Sequence, residues 1–82
     1  MSCVISGRVV DGDGRPVGGA SVRLLDAADE FTAEVRSTPA GDFRFYAAPG
    51  SWRLRAASTV GNGDAVVAPA AEGVHQIDVL VA

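Results

Sequence analysis

Eighty-two residues, 48% of them hydrophobic, make one small folded domain over 1–82 and not a disordered chain. A formal net charge of −3, with seven arginines and no lysine, argues against nucleic acid as the main partner. One cysteine excludes an intramolecular disulfide, and no apolar run suits a signal peptide or a membrane span, so a cytoplasmic location is the default expectation.

The 10 glycines and 4 prolines fall between short apolar runs, which points to all-β structure. Cys3 to Val10 is the first strand, partly apolar on both faces. The run Asp11-Gly12-Asp13-Gly14-Arg15-Pro16 carries turn chemistry. Ala20 to Asp26 is the second strand, with Val22 and Leu24 inward, Arg23 outward, and Leu25 breaking the alternation. After the acidic connection Ala27 to Glu30, Phe31 to Ser37 is the third strand, Thr32, Glu34 and Arg36 sharing one face.

Gly41 to Ala57 carries most of the aromatic mass and is expected to organise the core. Phe43 and Phe45 alternate with Arg44 and Tyr46, and Trp52, Leu54 and Ala56 alternate with Arg53 and Arg55. These two runs are expected to fold back on each other as a hairpin across Pro49-Gly50. A four-residue loop pairing Tyr46 with Ser51 is preferred to a two-residue loop pairing Ala48 with Ser51, because a type II Pro-Gly turn suits the strand twist poorly. Ser58 to Gly63 is a loop with a turn at Asn62-Gly63, and Asp64 to Ala68 is a short sixth strand. Pro69 to Gly73 is a loop, and Val74 to Val81 is one last strand with His75, Ile77, Val79 and Val81 on one face. Ala27-Ala28 and Ala70-Ala71 support at most a turn of helix. The expected fold is a seven-stranded antiparallel β-sandwich.

Four features have chemistry to weigh. Cys3 is either a sulfur acceptor or an inert thiol at a frayed chain end; Arg8, the only nearby cation in sequence, falls on the opposite strand face. His75 is the only imidazole, and forms a dyad only if the first and last strands bring it to Cys3. Asp11 and Asp13 resemble a calcium loop, but the twelfth position counted from Asp11 is Val22 where an EF-hand needs Glu, so no metal or other cofactor is expected. Arg44, Arg53 and Arg55 share the outer face of the expected hairpin with Tyr46. Like charges facing each other need an offset, either carboxylates such as Glu34 or a docked anion or acidic protein surface.

The pattern Ile5-x-Gly7-x-Val9, Asp11, Gly14, Pro16-Val17, Gly19-Ala20, Val22 and Leu24, with Gly41-x-Phe43 and Pro49-Gly50-x-Trp52-x-Leu54, resembles the carboxypeptidase regulatory-like domain. The resemblance implies a transthyretin-like, seven-stranded sandwich; Trp52 stands where that domain usually has Tyr. Blocks from Gly7 to Val67 resemble, more narrowly, a small actinobacterial family of unknown function. Its members are labelled sulfur metabolism proteins and are commonly encoded beside a thiosulfate sulfurtransferase, which the resemblance implies as a partner. Members usually carry further residues before the first strand. Two enzymes of related fold do not match. A hydroxyisourate hydrolase ends in Tyr-Arg-Gly-Ser, where this chain has Asp78-Val79-Leu80-Val81-Ala82. An intradiol dioxygenase uses two Tyr and two His for iron, where this chain has one of each. The expectation is therefore a non-catalytic interaction module. The alternatives are a sulfur carrier acting through Cys3 and a small-ligand or carbohydrate-binding module using Tyr46, and self-association through sheet edges is open to all three.

Overall fold

The computed structural model describes residues 3–69 and 73–82, so the helical turn considered at Ala70-Ala71 lies outside the described residues. Eight strand segments follow in order: β1 (Cys3–Val10), β2 (Ser21–Leu25), β3 (Phe31–Arg36), β4 (Asp42–Ala47), β5 (Trp52–Ser58), β6 (Gly61–Val67), β7 (Gly73–Gln76) and β8 (Val79–Leu80). They form two four-stranded sheets. One has the order β4-β1-β7, with β8 also beside β1; the other has the order β3-β2-β5-β6. The architecture is an all-β sandwich.

The expected hairpin is corrected. β4 pairs with β1, from Cys3 opposite Ala47 to Arg8 opposite Asp42. β5 pairs with β2 and β6 in the other sheet. The Pro49-Gly50 connection is an arch between layers, so neither Tyr46 nor Ala48 pairs with Ser51. The Gly50 N–H donates to the Pro69 carbonyl (3.1 Å) and the Trp52 Nε1–H to the Ala48 carbonyl (2.8 Å), which fastens the arch. The alternation still orients the side chains as expected. Phe43, Phe45, Leu54 and Ala56 are buried against Ile5, Val9, Val22, Leu24 and Val79, and Trp52 packs on this core half-buried. Leu25 is buried as well, because a bulge between Leu24 and Leu25 shifts the register against β3.

The last expected strand is broken, and it is not antiparallel: β7 and β8 both run parallel to β1. The break faces Gly7. A side-chain carbon there would collide with the Ile77 carbonyl oxygen, so the chain bends inward where β1 has no side chain. The Ile77 N–H donates to the Ser6 carbonyl (2.9 Å), and the Arg8 N–H donates to Asp78 Oδ1 (3.1 Å), taking up donors the ladder leaves open. The turn expected at Asn62-Gly63 falls earlier, at Thr59-Val60. Ser58 then pairs with Gly61, and Asn62-Gly63 are inside β6. Gly63 admits the Leu80 carbonyl, and the Ala82 N–H donates to the Asn62 carbonyl (3.2 Å), so the end of the chain covers part of the β6 edge.

Candidate functional site

The sandwich has two outer faces of different character. On the β3-β2-β5-β6 face, one row crosses all four strands as Glu34, Arg23, Arg55 and Asp64. The two arginines stand opposite each other, and a carboxylate flanks each. Arg23 Nε is 2.8 Å from Glu34 Oε1, and Arg55 Nε is 3.6 Å from Asp64 Oδ1. Arg53 lies between Asp29 (3.4 Å) and Asp64 (3.9 Å). Hydrogen bonds from Arg23 and then from the Ser21 hydroxyl hold the Glu34 carboxyl below its ordinary range. Its folded value lies under the unfolded one, so its contribution to stability is present above the ordinary carboxylate range and is lost as pH falls through the folded value. Exposed pairs of this kind are screened by solvent and contribute little, so the face is neutralised more than it is strengthened. Arg23 also lies over the exposed Phe31 ring, 5.8 Å from its centroid.

Arg44 and Tyr46 are not on that face. They project from β4 on the outside of the opposite sheet, so the four side chains expected to form one surface are split between the two sides of the sandwich. Around Arg44 and Tyr46, three rows cross the sheet. Tyr46, Val4 and Val74 form an apolar row, with Tyr46 69% and Val74 64% exposed. Arg44, Ser6 and Gln76 form the next. Asp42 and Arg8 form the third, with Arg8 Nε 3.3 Å from Asp42 Oδ1. A depression of about 720 Å³ covers the last two rows and reaches round the β4 edge to Arg36 and Thr38 at the end of β3. Val74, Ser6 and Gln76 were missed by reading the sequence for charge alone. Their outward parity was visible, but their adjacency to Arg44 depends on β1 lying between β4 and β7.

Cys3 is not at a frayed end. It opens β1 with a neighbour on each side, Ala47 in β4 and Gly73 in β7, and is 0% exposed. A sulfur-transfer partner would reach a thiol placed there only after local opening of β1. A thiol reagent should modify the native protein slower by a factor on the order of 10² or more than the denatured chain, since labelling must wait for local opening. Equal rates in both states would show that this end of β1 is open. His75 lies opposite Ile5, two positions along from the Cys3–Gly73 pair and on the same inner face, so first and last strands are indeed neighbours. Tyr46 is on the outer side of that sheet, which separates the chain's one tyrosine from its one histidine. Asp11 Oδ1 accepts the N–H groups of Asp13 (2.9 Å) and Arg15 (3.0 Å), which makes Asp11 a turn-former. Asp26 does the same for Ala28 and Glu30 in the next connection. Among the described residues, no helix is long and apolar enough to cross a membrane.

Among solved structures, the chain is similar to a DUF3823 family protein from Parabacteroides merdae (TM-score 0.68, 17% identity) over 98% of its length and 45% of that protein's. It is also similar to 3-chlorocatechol 1,2-dioxygenase from Rhodococcus opacus (TM-score 0.66, 11% identity) over its whole length and 60% of the enzyme's. At these identities the likeness is one of fold alone. In sequence, the uncharacterized proteins Rv0814c and Rv3118 of Mycobacterium tuberculosis are each 68% identical over 78 residues, 95% of this chain and 78% of theirs. An uncharacterized protein of Mycolicibacterium smegmatis is 63% identical over 79 residues, 96% of this chain and 88% of its own. A family model described as a protein of unknown function (DUF1416) matches residues 1–81, and the chain belongs to that family.

Proposed function

We propose that this protein is a non-catalytic interaction module of transthyretin-like, carboxypeptidase regulatory-like type, and that it binds through the outer face of the β4-β1-β7 sheet. The observation that carries the reading is the contrast between the two faces. Arg23, Arg53 and Arg55 are each within 4 Å of a carboxylate on one side, whereas the other side exposes the row Tyr46, Val4 and Val74 beside an arginine with no ion-pair partner among the described residues. Exposed aromatic and aliphatic side chains next to an uncommitted arginine are the composition of a contact surface. The partner proposed is a thiosulfate sulfurtransferase, on the strength of the sequence resemblance over residues 7–67. The full burial of Cys3 favours binding over sulfur transfer through that residue.

Titration of the purified pair by calorimetry tests this. Tyr46→Ser combined with Val74→Ser should weaken binding at least about tenfold, or about 1.4 kcal/mol. Arg53→Gln with Arg55→Gln should leave it unchanged. Both double variants should keep the wild-type circular dichroism spectrum. Loss of binding with the second pair but not the first would place the surface on the opposite face.

A further inference from the structure

The depression on the β4-β1-β7 face contains an unbalanced charge in a chain whose net charge is −3. Three arginines line it: Arg8, Arg36 and Arg44. Two carboxylates also line it, and both are engaged by Arg8: Asp42 by its guanidinium (3.3 Å), Asp78 by its backbone N–H (3.1 Å). Arg36 donates from Nη1 to the Gly19 carbonyl (3.1 Å), and neither it nor Arg44 is ion-paired to a carboxylate among the described residues. On the opposite face Arg23, Arg53 and Arg55 each have a carboxylate within 4 Å, and Arg36, which shares the Glu34 side of β3, is drawn electrostatically to Glu34, so Arg44 is the guanidinium left to the depression alone. Three guanidinium groups against two carboxylates leave the concavity with one positive charge in excess, and Arg44 is the one that has neither an ion pair nor a carboxylate of its own among the described residues; Ser6 and Gln76 line the same concavity. A planar guanidinium offers a fork of donors matched to a carboxylate.

We infer that this depression is a carboxylate-recognition site, and that the carboxylates it takes are the acidic side chains of a partner protein's segment laid across the sheet. The inference rests on the module reading above and specifies the chemistry of its partner. Two features favour a protein segment over a free small acid. The row of Arg44, Ser6 and Gln76 that lines the depression lies next to the apolar row of Tyr46, Val4 and Val74, which gives an incoming chain apolar contact beside its charged one. β4 is moreover the terminal strand of its sheet, paired on one side only, so an extended segment can lie along it.

Nuclear magnetic resonance titration of the intact chain tests the assignment, with three probes: a short capped peptide alternating glutamate and valine, its lysine–valine counterpart, and free glutarate. The glutamate peptide should shift the amides of Ser6, Arg8, Arg44 and Gln76, with an affinity that falls as salt is raised. Arg36→Gln with Arg44→Gln should weaken that binding at least about tenfold, while Arg53→Gln with Arg55→Gln should not change it. Equal binding of the lysine peptide, or unchanged affinity in the Arg36/Arg44 variant, would overturn carboxylate recognition. Glutarate binding as tightly as the peptide would overturn the protein source. If Tyr46→Ser with Val74→Ser abolishes sulfurtransferase binding while the Arg36/Arg44 variant retains it, the module stands and the carboxylate inference falls.

Discussion

Phe45→Ala is expected to cost about 3–5 kcal/mol, the range for emptying a fully buried aromatic site. Phe45 is 4% exposed, stands opposite Ile5 in the sheet, and has its ring 6.2 Å from that of Phe43 at an interplanar angle of 52°. Such tilted aromatic pairs add to the burial term. For a domain of this length the total stability is on the order of 5 kcal/mol, so the variant should be left with about 0–2 kcal/mol and be near its unfolding transition at room temperature. Trp52→Ala should cost less although its ring is larger, because Trp52 is only half-buried at the mouth of the arch and part of its attachment is one hydrogen bond to the Ala48 carbonyl. Urea titrations of both variants give the order. If Trp52→Ala proves the more damaging, the arch and not the Phe43–Phe45 face is the centre of the core.

Gly7→Ala is expected to destabilise by about 1–3 kcal/mol or more, the cost of inserting a methyl group into a packed interior. The obstacle is the Ile77 carbonyl oxygen, with Phe43 Cζ a further 3.2 Å from the added carbon. A backbone oxygen cannot rotate away as a side chain does. Relief requires moving the link between β7 and β8, which breaks the Ile77 N–H bond to the Ser6 carbonyl and the Arg8 N–H bond to Asp78. Amide exchange at Ile77 and Arg8 should therefore accelerate more than exchange at the centre of β5. Gly12→Ala is the control, since nothing lies within 4 Å of the added carbon there. Equal melting temperatures for Gly7→Ala and Gly12→Ala would mean that the Ile77 link is not held against β1.

Which side of a strand each residue occupies is legible in the chain itself. Period-two alternation placed Phe43, Phe45, Leu54 and Ala56 inside and Arg44, Tyr46 and Arg55 outside, because it reports the pleat of one strand, which is local. The same alternation at 74–81 put His75, Ile77, Val79 and Val81 together, and the core receives the last two. Turn chemistry was equally local, and Asp11 and Asp26 each satisfy N–H groups within four residues. Which strand lies beside which depends on contacts between segments far apart in the chain. A Pro-Gly connection serves a hairpin or an arch with the same inward residues, and the choice depends on β1 and β2, more than twenty residues earlier, each completing a ladder with one arm. That choice carried the candidate surface with it. A hairpin would have gathered Arg44, Arg53 and Arg55 on one side; the arch sends Arg53 and Arg55 to the carboxylates of Asp29 and Asp64 and leaves Arg44 with Tyr46 on the other. The break in the last strand was hidden for the same reason: Gly7 and Ile77 are seventy residues apart, and the clash that bends the chain exists only once β1 and β7 are neighbours.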